Sequence, residues 1–88
     1  MKIVSDQKIM CSVYRSPKKE GMYMYVPKQE PFENVPEALM QSFGTPGHVM
    51  DLMLTPDRTL ARVDVRQVIQ GIQQNGYYLQ MPPLEGQF

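Results

Sequence analysis

Residues 64–83, DVRQVIQGIQQNGYYLQMPP, predict a helix, a turn and a strand in immediate succession. Four apolar side chains recur at the spacing that places them on one face of a helix: Val65, Val68, Ile69 and Ile72. Asp64 is suited to cap the first turn, with Gln67 reaching back toward it, and Gly76 can adopt the left-handed conformation that ends many helices. The aromatic-rich residues 77–81 then predict a strand that stops at two prolines. Such a strand needs an existing sheet to receive it.

The first part of the chain predicts two strands of that sheet. Residues 8–15, KIMCSVYR, alternate with a period of two, and residues 22–26, MYMYV, are again typical of a strand. The connection between them, SPKKEG at residues 16–21, combines proline, charge and glycine. We therefore expect a β-hairpin whose loop is longer than two residues.

The middle of the chain predicts a short helix and a third strand. Residues 34–43 form a helix of roughly two turns that begins near Pro36 and ends at Gly44. Residues 48–55, HVMDLMLT, are apolar enough for a buried strand, with a helical turn over residues 46–50 as the alternative.

The predicted order is strand, strand, helix, strand, helix, strand, which describes one small α/β (α+β) domain. A hairpin is antiparallel, whereas a strand entered through a helix can run parallel to a neighbour, so we expect a mixed sheet covered by helices. Residues 8–83 form the domain, residues 1–7 a loose leader, and residues 84–88 a short tail. Strand order is left open.

Composition excludes several classes of protein. Nine basic and nine acidic residues give a formal net charge of zero, so no global field favours nucleic acid or an anionic membrane. The single cysteine, Cys11, allows no internal disulfide, which suits a reducing compartment. The leader lacks the apolar core of a signal peptide, and no stretch approaches the roughly 20 apolar residues that span a bilayer. We expect a cytoplasmic protein without a membrane segment.

Motifs for cofactors and metals are absent from the sequence. It contains no GxGxxG, GxxxxGK[ST] or GxSxG pattern. Asp51, Asp57 and Asp64 are neither clustered nor arranged as a calcium loop, and one histidine with one cysteine gives no zinc spacing. We therefore expect no cofactor, no metal and no catalytic site.

The chain resembles the YcgL-domain family, small proteins found chiefly in gammaproteobacteria. The resemblance rests on CSVYRS (11–16), MYMYV (22–26), VPEAL (35–39), Phe43-Gly44 followed by Pro46, and GYYLQMPP (76–83). It implies an α/β/α sandwich around a small sheet and no established reaction, cofactor or catalytic residue. Some members are encoded near a ribonuclease D gene, which points toward RNA metabolism.

The first hairpin carries the predicted binding surface. Basic and aromatic residues gather there: Tyr14, Arg15, Lys18, Lys19, Tyr23, Tyr25 and Lys28. We interpret the chain as a non-catalytic interaction module with an unknown protein partner. Cations beside stackable rings also allow binding of single-stranded RNA, which is the alternative function. Alternation places Tyr23 and Tyr25 on one face of their strand, so both can equally belong to the core.

Two further groups of residues allow a functional and a structural interpretation. Cys11, His48 and Asp51 could form a nucleophilic set, but only if the fold brings them together, and a buried Cys11 is the favoured interpretation. Eight methionines are many for this length. They are expected mainly in the core, with a methionine-bearing groove for a partner protein as the alternative.

Overall fold

The computed structural model, which describes residues 8–60 and 63–82, has the predicted order of elements. The strands are β1 (Ile9–Arg15), β2 (Tyr23–Pro27), β3 (Gly47–Leu54) and β4 (Tyr78–Gln80), and the helices are α1 (Glu37–Phe43) and α2 (Val65–Asn75). The segment after Pro46 is a strand, so the helical alternative there is wrong. The predicted leader, residues 1–7, and tail, residues 84–88, lie outside the described residues.

The sheet is antiparallel throughout, and the prediction of a mixed sheet is wrong. The strand order is β3-β1-β2-β4, and all three neighbouring pairs are antiparallel. The connection from β2 through α1 to β3 does produce two strands that run in the same direction. However, β1 lies between them, so these parallel strands never pair. The hairpin of β1 and β2 forms the centre of the sheet, while β3 and β4 are its edges.

Each helix covers a different face of the sheet. The core on the α2 side contains Cys11, Val13, Tyr25, Leu54, Val65, Val68, Ile69 and Ile72. The core on the α1 side contains Met22, Met24, Val26, Val35 and Phe43. Alternation along β2 explains this division, because Met24 and Val26 point to one face and Tyr25 points to the other. The arrangement is the helix, sheet and helix layering that the family resemblance implied.

The ends of α2 use the capping residues expected from the sequence. The Asp64 carboxylate accepts a hydrogen bond from the backbone N–H of Arg66 at 2.9 Å. Gly76 is left-handed, with φ of 90°, and its N–H donates to the carbonyl of Ile72 at 2.9 Å. A side chain at Gly76 would also collide with Asn34, because a Cβ there would lie 2.5 Å from the Asn34 Cβ. This glycine therefore both ends α2 and allows the segment before α1 to approach it.

Helix α1 is too short to cover its whole face of the sheet. It has seven residues, of which only Phe43 is buried. The loop before it adds Phe32 and Val35 to the same core, next to side chains of β1, β2 and β4. The half of this face formed by the start of β1 and the end of β3 receives less cover, and the exposed Met10 and Met53 lie opposite each other there.

The packing of α2 gives a stability prediction. Ile69 is 6 % exposed within the α2-side core, so Ile69→Ala should lower the free energy of unfolding by about 2 to 5 kcal/mol through lost burial and a residual cavity. Gln70→Ala, at the exposed neighbouring position, should change it by less than about 0.5 kcal/mol. Urea titration measures both. Equal, small effects would contradict the packing of α2 against the sheet.

Candidate interaction surface

The fold divides the predicted binding residues between the two faces of the sheet. Tyr14 lies on the α1 side, where its ring contacts Phe32 at 4.8 Å and His48 at 5.3 Å between centroids. Tyr25 lies on the opposite face, is only 8 % exposed and donates its hydroxyl to Gln80 Oε1 at 3.1 Å. Tyr23 packs against the same α2-side core. The three tyrosines therefore do not form one platform on which bases could stack.

Tyr25 is held in place by its surroundings. Its ring contacts Tyr78 of β4 edge to face, at 6.1 Å between centroids. Burial raises the pKa of the Tyr25 hydroxyl, so the group stays neutral and serves as the donor to buried Gln80. This side chain joins the edge strand β4 to the centre of the sheet, a structural role that the sequence left open.

The hairpin loop is fastened to the end of α1 by Ser16. Its hydroxyl donates to the carbonyl of Phe43 at 2.6 Å and accepts the backbone N–H groups of Lys18 and Lys19, each at 3.1 Å. The Lys18 ammonium donates to the carbonyl of Gln41 at 2.9 Å, where a cation is favoured near a helix C-terminus. Lys18 therefore helps to end α1. Lys19 and Arg15 are exposed, the latter at the end of β1.

A polar cluster centred on Asp51 lies on the thinly covered half of the α1-side face. Ser12 and Asp51 are cross-strand partners in β1 and β3, and the Ser12 hydroxyl donates to Asp51 Oδ1 at 2.6 Å. His48 Nε2 donates to the same oxygen at 2.8 Å, since a carboxylate can only accept. Lys28, directly after β2, places its Nζ 3.5 Å from Asp51 Oδ2. Of the predicted binding residues, Tyr14 and Lys28 are the ones that adjoin this cluster.

Ser12 could not be recognised from the sequence as a member of the cluster. The pair His48 and Asp51 was visible from its spacing of three residues, but Ser12 lies 39 residues from Asp51. Only the register of β1 against β3 brings the two together. Alternation places Ser12 on the face of β1 opposite Cys11, which was the available signal.

The arrangement is unlike a catalytic triad. In a triad the histidine accepts the proton of the nucleophile and the carboxylate orients the histidine. Here the Ser12 hydroxyl gives its hydrogen bond directly to the carboxylate and is 2 % exposed. The hydrogen bonds from Ser12 and from His48 lower the pKa of Asp51 from 3.8 to about 2. The cluster therefore holds a permanent carboxylate between two strands.

The structure separates Cys11 from His48. Cys11 is fully buried in the α2-side core, whereas His48 contacts Tyr14 on the other face. Burial, with a smaller contribution from the charge of Asp51, raises the pKa of the Cys11 thiol to about 12. The proposed pairing of Cys11 with His48 as a nucleophile and base is therefore wrong, because the sheet lies between them.

Exposed apolar side chains concentrate at β3 and its neighbour. Among residues 8–60 and 63–82, five large hydrophobic residues are exposed: Met10 (41 %), Val49 (40 %), Met50 (49 %), Met53 (37 %) and Met81 (54 %). The first four lie on β1 and β3 and are called the β3 patch below, whereas Met81 follows β4 at the other edge. Val49 has no direct partner in β1, because Val13 pairs with Met50 and Tyr14 with His48. The shift in register between Val13 and Tyr14 is a β-bulge, and the Val49 side chain is exposed at this point of β3.

Among residues 8–60 and 63–82, no group of three or more His, Cys, Asp or Glu side chains is close enough to hold a metal ion. Neither of the helices found there has the length and apolar character required to cross a membrane.

The Asp51 cluster predicts a pH-dependent contribution to stability. Its lowered pKa means that the carboxylate stabilises the fold fully above the unfolded-state value of 3.8 and loses this contribution as the pH falls through about 2. Asp51→Asn should therefore be less stable than the wild type at pH 7, with the difference shrinking below about pH 4. Urea unfolding across this range measures it, with Glu20→Gln as the control. A difference that is constant with pH would contradict the cluster.

The burial of Cys11 predicts slow thiol chemistry. At pH 8 almost no thiolate is present when the pKa is about 12, so a thiol reagent such as DTNB should react far more slowly with folded protein than with protein in concentrated urea. Absorbance of the released thionitrobenzoate follows both reactions. Equal rates under the two conditions would mean that Cys11 is accessible.

Comparison with known proteins identifies the family. The YcgL domain matches residues 11–83. The YcgL domain-containing protein PSPA7_4096 of Pseudomonas paraeruginosa is 54% identical over 81 residues, which cover 92% of this chain and 84% of that protein. PA1295 of Pseudomonas aeruginosa has the same identity and coverage, and a Pseudomonas putida relative is 52% identical with that coverage. The chain belongs to the YcgL domain family.

Proposed function

We propose that this chain is a non-catalytic interaction module that binds a protein partner through the β3 patch. The observation that carries the proposal is the exposed pair Met10 and Met53, which lie opposite each other on the α1 side of β1 and β3, with Met50 also exposed on the other face of β3. Single exposed hydrophobic residues are ordinary on protein surfaces, but a contiguous group is typical of contact sites. The proposal moves the contact surface from the loop of the first hairpin to the opposite side of β1.

The chemistry of the patch suits a protein surface better than a nucleic acid. Three of its four members are methionines, whose flexible thioethers adapt to partners of varied shape. The polar groups beside them are already paired, because Asp51 holds Ser12, His48 and Lys28. Apolar contact with a polar rim is the usual composition of a protein interface.

The RNA alternative has less support on this surface. Stacking needs exposed rings next to cations. Tyr25 is buried, Tyr14 packs edge to face against Phe32 and His48, and Lys18 is bound to a helix carbonyl. RNA binding would instead appear as capture that nuclease treatment abolishes.

Affinity capture from the cells that make the protein tests the proposal. Tagged wild type is compared with the double variant Met10→Glu and Met53→Glu and with the control Met81→Glu, all after nuclease treatment. We expect captured protein to fall at least about tenfold with the double variant, because two charges enter an apolar contact, and to persist with the control. Circular dichroism verifies that each variant folds.

Two results would contradict the proposal. Capture that disappears on nuclease treatment would assign the contact to nucleic acid. Capture that is the same for the double variant and the wild type would place the contact surface elsewhere on the chain.

A further inference from the structure

One backbone hydrogen bond between Met10 of β1 and Lys28, directly after β2, determines which way the N–H and C=O groups of β3 point. The N–H of Lys28 donates to the carbonyl of Met10 at 3.1 Å, so the backbone groups of Met10 point toward β2. In an antiparallel pair, residues opposite each other either exchange both hydrogen bonds or point both sets of groups away. Met53, the partner of Met10, therefore directs its N–H and C=O to the outer edge of the sheet.

The same alternation assigns the neighbouring residues. Asp51, two residues before Met53, also points its backbone groups outward, whereas those of Leu52 and Met50 face β1. Arg58 provides an independent check, because its guanidinium donates to the carbonyl of Met53 at 3.3 Å from outside the sheet. Groups that repeat every second residue, roughly 6.8 Å apart, match the backbone of another strand.

We propose that β3 pairs with β3 of a second copy of this chain, in antiparallel orientation about a twofold axis that passes between the two Leu52 residues. This inference rests on the proposed function and names the partner that covers Met50 and Met53, the members of the β3 patch that lie within the ladder. The ladder spans residues 50–54 and stops at the Val49 bulge. Each outward-facing Asp51 lies opposite Met53 of the second copy, so both of the hydrogen-bonded pairs that this register requires are formed from outward groups. The Met53 carbonyl accepts the Arg58 guanidinium in the single chain, so pairing requires Arg58 to leave this carbonyl to the Asp51 N–H of the second copy.

Charge disfavours one of the two neighbouring registers. Moving the axis by one residue toward the start of β3 places Asp51 directly opposite Asp51, and two carboxylates facing each other are destabilising. With Leu52 on the axis, the carboxylate instead lies beside Met53 of the second copy, whose carbonyl the Arg58 guanidinium contacts in the single chain. The axis thus brings the Arg58 of each copy next to the Asp51 of the other. A zero net charge adds no overall repulsion between copies.

The apolar contacts are distributed over both faces of the joined sheet. On the α2 side, Met50 lies opposite Leu54 of the second copy and Leu52 opposite Leu52. On the α1 side, Met53 packs beside Asp51 of the second copy. A five-residue ladder lies at the small end of specific interfaces, so we expect a reversible dimer with a Kd in roughly the micromolar range.

Sedimentation velocity of the purified full chain over a concentration series tests the pairing. The wild type should shift from monomer to dimer as concentration rises. Met53→Glu should weaken the dimer by about tenfold or more, because each copy then places a carboxylate opposite Asp51 of the other. The repulsion occurs at both of the symmetry-related contacts of the dimer. Met53→Lys should leave the Kd unchanged or lower it, since the ammonium meets that same carboxylate. Met81→Glu, at the other edge, is the matched control.

Hydrogen exchange gives a readout specific to the ladder. The amides of Asp51 and Met53 should exchange more slowly at high than at low protein concentration, whereas those of Met50 and Leu52, which face β1, should not change. A chain that stays monomeric throughout the series overturns the proposal. So does equal weakening by Met53→Glu and Met53→Lys, or a dimer that only Met81→Glu disrupts.

The failure of this inference is separable from failure of the proposed function. A monomer that still captures a different protein through the β3 patch overturns the self-pairing and leaves the interaction module in place. A concentration-dependent dimer in which Met53→Glu has no effect overturns the β3 patch as the contact surface.

Discussion

Alternation along β1 and β2 sets the conditions for the rest of the fold. Each strand sends successive side chains to opposite faces, and both faces of β2 carry large apolar groups. Met24 and Val26 require cover on one side and Tyr25 requires it on the other. Two helices on opposite faces meet this demand, and the central hairpin is consequently buried from both sides. Strand β3 adds beside β1 and β4 adds beside β2, each antiparallel to its neighbour.

The two helices bury different numbers of side chains against the sheet, and this difference leaves the β3 patch exposed. Helix α2 has four buried residues along eleven, whereas α1 buries Phe43 alone. The α1-side core is completed by the preceding loop over β2, which lies toward β4 and away from β3. Met10 and Met53 are left in the open half of the face.

The elements set by local sequence were the ones that could be predicted. Helix α2 combines its apolar spacing with Asp64 at the start and Gly76 at the end, and all of these signals act within a few residues. The hairpin of β1 and β2 depends on a short loop and was equally accessible. Strand order was not, because the position of β3 next to β1 depends on contacts between residues more than thirty positions apart. The mixed sheet was predicted from the connections alone, without knowing that β1 would separate β2 from β3.

In the candidate site, too, local contacts could be predicted from the sequence, whereas contacts between distant residues could not. His48 and Asp51 lie three residues apart, so their proximity was visible, whereas Ser12 joins them only through the register of two strands. The tyrosines show a second limit of prediction from the sequence. Tyr14 and Tyr25 look alike in sequence, yet one adjoins the Asp51 cluster and the other lies in a core, because alternation fixes relative faces without saying which face is covered.

The Asp51 cluster explains how an edge strand can carry a charge without losing its place in the sheet. Asp51 is exposed on β3, and hydrogen bonds from Ser12 and His48 hold its carboxylate in position. The Lys28 ammonium lies 3.5 Å from the other carboxylate oxygen and offsets its charge. Asp51 thereby remains ionised at the edge, and charges at edge positions discourage indiscriminate pairing of strands. In the proposed pairing of β3, the methionines favour contact while Asp51 limits the registers in which contact is possible. An edge with both features is suited to a defined partner strand and resists open-ended aggregation.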